Sequence, residues 1–170
     1  FISLSSLPDA QRRWVTGITR RFLNWQRSSG YQPDLLVTFG FPMSDHFFGL
    51  EYKKRPGTAW IAHFSDPWVD NPYRRQNGPT AWLNARMERR IIGSADGVIF
   101  TSPETLDLVM RKYPDSWREK AFFLPHCNDR EVYDDNLRPS EDRYILRSIG
   151  TLYGNRSPAP LFKAIERIAR

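Results

Sequence analysis

Short apolar runs alternate with helical-period segments along this chain, and that alternation constrains its fold more than any other feature. The runs are Asp34–Phe39, Ala59–Phe64, Val98–Thr101, Ala121–Leu124 and Tyr144–Ile149. Each is only four to six residues long and nearly continuous in apolar character. A strand of that kind is buried on both faces, which is the signature of a parallel sheet covered by helices on both faces. The order reads α-β-α-β-α-β-α-β, a connector, then β-α, and it implies an α/β, Rossmann-like fold. Length allows this, since 170 residues can bury a substantial core.

The segments between the runs carry helix signals. Asp9 stands where it can cap a helix from about residue 10 to 29, on which Trp14, Ile18, Phe22 and Trp25 share one apolar face. Gly30 ends that helix. Ser44 begins a helix to about Arg55, stopped by Pro56-Gly57. Thr80 begins one through Ile92. Ser102-Pro103-Glu104 joins a cap, a proline at the first helical position and an acid in the first turn. Residues 128–143 are rich in acids and poor in apolar side chains, and read as a connector. Ala159 to Arg170 is a last helix with Leu161, Ile165 and Ile168 inward.

Composition narrows the function classes. The formal charge of +6 favours anionic partners such as phosphates, anionic lipid or nucleic acid. Charge is the sole argument for nucleic acid, because no recognised binding motif accompanies it. A single cysteine, Cys127, excludes an internal disulfide framework and suits a reducing compartment. No apolar run reaches the length of a spanning helix, and the opening residues do not read as a secretory leader, lacking a charged stretch followed by an apolar one. It opens instead on Phe1 with no initiator methionine, and reads as a fragment.

The strand Ala59–Phe64 breaks at Ser65-Asp66-Pro67-Trp68. A residue before proline is pushed into extended conformation, so Asp66 is held at the strand's carboxyl end. Ligands of open α/β sheets bind at such ends. Asp66, with His63 and Trp68 nearby, is therefore a candidate to bind or deprotonate a hydroxyl. The alternative is a turn aspartate with a core histidine beside it. Gly150 to Arg156 is a strand-turn-helix stretch able to place backbone N–H groups and an arginine on a phosphate, although it meets neither dinucleotide nor P-loop spacing. The helix over residues 10–29 carries Arg12, Arg13, Arg20, Arg21 and Arg27, with no acid between Asp9 and Asp34. It is either an ordinary surface helix or one that lies on an anionic membrane. Arg74, Arg75, Arg86, Arg89 and Arg90 form a second basic cluster. Around His126-Cys127 there are too few ligands for a metal site, and adjacent residues of an extended segment do not form a dyad.

Several runs together resemble a known family. They are Ser44-Asp-His-Phe-Phe-Gly-Leu-Glu-Tyr-Lys-Lys, Trp60-Ile-Ala-His-Phe-Ser-Asp66-Pro67-Trp68, Ala95-Asp96-Gly97 through Ser102-Pro-Glu104, Leu124-Pro125-His126-Cys-Asn-Asp129 and Ser148-Ile-Gly150-Thr-Leu-Tyr-Gly154-Asn-Arg156. In order and spacing they resemble family-4, retaining, nucleotide-sugar glycosyltransferases over about residues 33 to 170. The resemblance implies a GT-B fold of two Rossmann-like domains. Residues 1–135 would be the acceptor domain, 136–143 the interdomain connector, and 144–170 the start of the donor domain. It implies a glycan or lipid-linked acceptor near Asp66 and His63, flanked by Trp68, Ser102, Glu104, Arg74 and Arg75. Gly150, Gly154 and Arg156 would meet the donor diphosphate. The resemblance further implies transfer without metal or other cofactor, and a cytoplasmic enzyme, peripheral on the membrane where its acceptor is lipid-linked. The chain departs from the family in three places. The first strand with its glycine-rich loop is not seen, His-Cys-Asn-Asp stands where Asn-Gly is commoner, and the donor-domain glutamate pair is absent from a sequence that stops at Arg170. By itself the stretch is expected not to transfer sugar. A sugar-nucleotide epimerase or a non-catalytic phosphate-binding Rossmann module would use the same scaffold.

Overall fold

The computed structural model describes residues 7–73, 77–129, 145–147, 149–152 and 157–168. The chain divides into two compact units, Phe1–Cys127 and Asn128–Arg170. The first holds α1 (Arg12–Ser29), β1 (Leu35–Gly40), a 3₁₀ turn (Met43–Asp45), α2 (His46–Tyr52), β2 (Ala59–Phe64), α3 (Gly78–Ser94), β3 (Gly97–Phe100), α4 (Pro103–Met110), α5 (Asp115–Arg118) and β4 (Ala121–Phe123). Its strands form one sheet in the order β1-β2-β3-β4, every pair parallel. This is the Rossmann-like α/β architecture, with helices flanking a parallel sheet.

Strand order fixes where the crossover helices go. Parallel crossovers are right-handed, and each connection here steps to the next strand in the same direction. The helices α2, α3 and α4 therefore fall on one face. The core shows it: Trp60, Ala62, Phe64, Val98 and Phe100 of that face pack with Phe47 and Leu50 of α2, Ile91 and Ile92 of α3, and Val109 and Met110 of α4. Residues of opposite parity, Leu35, Val37, Phe39 and Phe122, remain exposed on the second face among the described residues.

Trp60 sits at the centre of the core with no exposed surface. A Cβ on Gly49 would lie 2.1 Å from its indole, so only glycine lets α2 approach this closely. The indole N–H donates to Thr38 Oγ1 at 2.9 Å, and Thr38 meets His46 Nδ1 at 2.8 Å. The threonine hydroxyl thus links the two rings, accepting from the indole and sharing a hydrogen bond with the imidazole. The backbone of Trp60 is held as well. Its N–H donates to the Asp96 carboxylate at 2.8 Å, and its carbonyl accepts the Asp96 N–H at 2.8 Å. Lys53 completes the joint with an ion pair to Asp96 at 2.5 Å. Asp96 thus joins the starts of β2 and β3 to the end of α2.

Several expectations differ from the structure in detail. Asp9 does not cap α1 directly; Gln11 is the N-cap, and Asp9 Oδ1 accepts the Gln11 N–H. The side of α1 that packs inward is Val15 and Thr19, with Phe22 against Phe48 and Tyr52. Trp14 and Trp25 point outward, 63% and 50% exposed. The reason is that α1 rests on α2 through a narrow stripe rather than on the sheet through a broad one. Ser44 lies in the 3₁₀ turn, buried, rather than capping α2. In the second unit, residues 145–147 and 149 carry no strand, while Tyr144 and Ser148 lie outside the described residues. α6 (Ala159–Ile168) forms, but Leu161, Ile165 and Ile168 are exposed rather than inward. No sheet is described within that unit for them to cover.

Burial, and secondarily the nearby His63, push the His46 imidazole down to about 3 from an ordinary value of 6.5. Between those values the unfolded chain binds a proton that the folded chain does not. Stability from this group is therefore full above pH 6.5 and falls as pH drops towards 3, by at most about 1.4 kcal/mol per pH unit. Urea titrations across that window should show unfolding linked to proton uptake, and His46→Gln should remove about one proton from the linkage.

Candidate active site

The carboxyl ends of β1, β2 and β3 lie side by side and are tied by hydrogen bonds. Ser65 N–H donates to the Gly40 carbonyl at 3.1 Å, and Thr101 Oγ1 donates to the Ser65 carbonyl at 2.9 Å. From this edge Asp66 projects to solvent. It lines a cavity of about 90 Å³ with Pro8, Asp9, Phe41, Met43, Pro67, Trp68 and Asn71. A larger groove of about 260 Å³ runs between α1 and β1, but Asp45 is its sole ionisable residue and its walls are mainly apolar.

α3 holds the Asp66 loop from behind. Trp68 is 5% exposed, and its indole N–H donates to Asn84 Oδ1 at 3.1 Å. Asn84 is itself oriented by donating to the Thr80 carbonyl at 3.0 Å. The next backbone N–H, that of Val69, donates to Glu88 Oε2 at 3.0 Å. Glu88 has no exposed surface. Its other oxygen accepts the Tyr113 hydroxyl at 2.5 Å and pairs with Lys112 at 2.6 Å. Lys112 also pairs with Asp70 of the same loop. Burial first, then the Glu88 charge, drive the Tyr113 phenol far above its usual range, so it stays a donor. Burying a carboxylate is costly unless its oxygens have partners, and here both do.

The structure thus brings Asp66 and Trp68 to one cavity. His63 is elsewhere: 8% exposed on β2, its ring 5.0 Å from Phe39 and 6.2 Å from His126, and outside the cavity lining. Burial first, then His126, lower its pKa. Ser102 caps α4, its Oγ accepting the Thr105 N–H at 3.1 Å, and Glu104 follows in the first turn. Gly150 has φ of 130°, a conformation that glycine permits and other residues resist. Arg74, Arg75, Gly154 and Arg156 lie outside the described residues. Cys127 is exposed, and no group of metal-type side chains gathers among the described residues. Sequence reasoning missed Asn84, Glu88 and Asp9. The first two stand at i and i+4 with Ile91 at i+7, and that helical spacing is the signal that could have marked them as inward.

Residues 3–125 match the sequence profile of the glycosyl transferase 4-like domain. The match spans most of the chain, and the chain belongs to that family of glycosyltransferases. None of the curated proteins compared with it matches.

Removing one partner from a buried charged cluster leaves the rest unsatisfied. Glu88→Ala is expected to destabilise the unit by about 3–5 kcal/mol in denaturant titrations. Asn84→Ala should cost less, about 1–2 kcal/mol, while changing the Trp68 environment as read by fluorescence.

Proposed function

We propose that this chain supplies the acceptor-binding part of a retaining, nucleotide-sugar-dependent hexosyltransferase acting on a glycan or lipid-linked acceptor in glycan assembly. The observation that carries the reading is Asp66: an exposed carboxylate at the carboxyl end of β2, in a cavity, on a loop that α3 holds rigid. A catalytic carboxylate needs this combination, since it must be solvent-accessible to the substrate and fixed in direction. Asp66 accepts a hydrogen bond from the acceptor hydroxyl and orients it or takes its proton. In a retaining transfer the donor's own leaving phosphate assists with that proton, and no metal is required. Ser102 and Glu104 stand at the neighbouring strand end, and Arg74 and Arg75 are assigned to the same acceptor side. The donor diphosphate is assigned to the second unit, at Gly150, Gly154 and Arg156. The chain on its own is expected not to complete transfer. With an enzyme that carries this sequence, Asp66→Asn should lower kcat by about 10²–10⁴-fold while nucleotide affinity, read by calorimetry, stays unchanged. Full activity in that variant would reduce Asp66 to a turn residue.

A peripheral membrane location on the cytoplasmic face belongs to the same reading, and α1 supports it. No helix among the described residues is long and apolar enough to cross a membrane. Trp14, Ile18 and Trp25 are exposed on a helix whose other exposed residues include Arg13, Arg20, Arg21 and Arg27 and no acid. Indole rings at an interface and arginines over anionic headgroups suit that arrangement. Flotation with phosphatidylserine vesicles should recover the chain, and the pair Arg20→Glu and Arg21→Glu should weaken recovery by about tenfold or more. Equal recovery would sink the membrane reading.

A further inference from the structure

The cavity at Asp66 has a second carboxylate that belongs to neither the turn nor the sheet. Asp9 enters from the segment before α1, more than fifty residues away in sequence. Its position is set by backbone donors on two sides. Oδ1 accepts the Gln11 N–H at 3.2 Å, and Oδ2 accepts the Ser44 N–H at 3.0 Å. An ionised carboxylate has about four acceptor positions, and these bonds use one on each oxygen. By that count each oxygen keeps acceptor capacity beyond the bond it makes. The same cavity is lined by Asp66 and Asn71 and by the apolar side chains of Phe41, Met43 and Trp68.

We infer that Asp9 is a substrate-positioning residue: with Asp66 it binds adjacent hydroxyl groups along one edge of a sugar ring whose C–H face rests on the apolar wall. The inference rests on the reading of Asp66 as an acceptor-side residue, and it adds the chemical class of what that cavity holds. Carboxylate oxygens accept from neutral hydroxyl donors through charge-assisted hydrogen bonds, and these are the stronger kind. A hydroxyl-lined edge and a C–H face match a cavity with polar and apolar walls. A nucleoside diphosphate does not match, because its charge would meet two carboxylates. The volume of about 90 Å³ admits the edge of a ring rather than a whole oligosaccharide. The two carboxylates then have separate tasks. Asp66, exposed at the strand end, faces the reacting hydroxyl. Asp9, fixed by Gln11 and Ser44, reads the neighbouring hydroxyl and so selects its configuration.

The test uses the 170-residue chain, isotopically labelled, titrated with methyl α-glucoside, α-galactoside, α-mannoside and N-acetylglucosaminide. Binding is read at the Trp68 indole N–H and the Asn71 side-chain amide. At least one glycoside should shift both resonances, with a difference between epimers. Asp9→Asn keeps an oxygen for the Ser44 N–H and should weaken that glycoside by about tenfold, the loss of one hydrogen bond to a charged group. If the spectrum shows that this variant disturbs the loop, Asp9→Glu is read in its place. It keeps the charge but moves it by one methylene, and should change which epimer binds best. A glycoside that shifts both resonances and binds the Asp9 variant as tightly and with the same epimer order overturns the role of Asp9 and leaves the reading of Asp66 standing. If no glycoside shifts the cavity resonances, the sugar subsite is overturned. The transfer assay with Asp66→Asn decides the acceptor reading independently.

Discussion

The indole of Trp60 is the constraint on which the first unit depends. It fills the space between α2 and the sheet so completely that position 49 has room only for a hydrogen atom. Its N–H begins a buried chain of hydrogen bonds through Thr38 to His46, joining β2, β1 and α2. Its backbone, held by Asp96, joins β2 to β3. Packing and polar satisfaction therefore point to the same arrangement, which is how a core becomes unique rather than merely collapsed. A smaller side chain here would leave a cavity and would also leave Thr38 without its donor.

The candidate site inherits its rigidity from that core at one remove. Strand β2 runs out of the packed region at Phe64, and the chain turns through Ser65 to Trp68 within a few residues. A loop left to itself would sample many directions. Here Trp68 is buried on Asn84, and Val69 is bonded to the Glu88 carboxylate, so α3 fixes the turn from the side away from solvent. Asp66 is the exposed residue between two anchored ones. Anchors on Ser65, Trp68 and Val69 limit the directions open to the carboxylate, which suits the role proposed for it.

Much of the fold was legible. The runs at Ala59–Phe64 and Val98–Phe100 announced buried parallel strands, and Ser102-Pro103-Glu104 announced the start of α4 by cap chemistry alone. Legibility failed where partners come from far along the chain. Glu88 and Asn84 look in sequence like polar positions of an amphipathic helix, and only the folded loop at Trp68 and Val69 turns them inward. Asp9 looked like a helix cap because its local role is visible and its distant one, at Ser44 and Asp66, is not. On α1 the apolar period marked a face correctly but not the side that packs. Val15 and Thr19 turn inward because α2 approaches from that direction.

The sequence by itself determined the class of fold and the strand end at which the candidate carboxylate stands. Apolar run lengths and proline-broken strand ends are local properties, and they act on the backbone before any tertiary contact forms. Only the tertiary structure decided which polar groups are buried, which of them meet at the cavity, and that His63 faces Phe39 and His126 instead of joining Asp66. Those outcomes depend on side chains tens of residues apart being brought within hydrogen-bonding distance. A polar residue's character does not reveal in advance whether water or another residue will satisfy it.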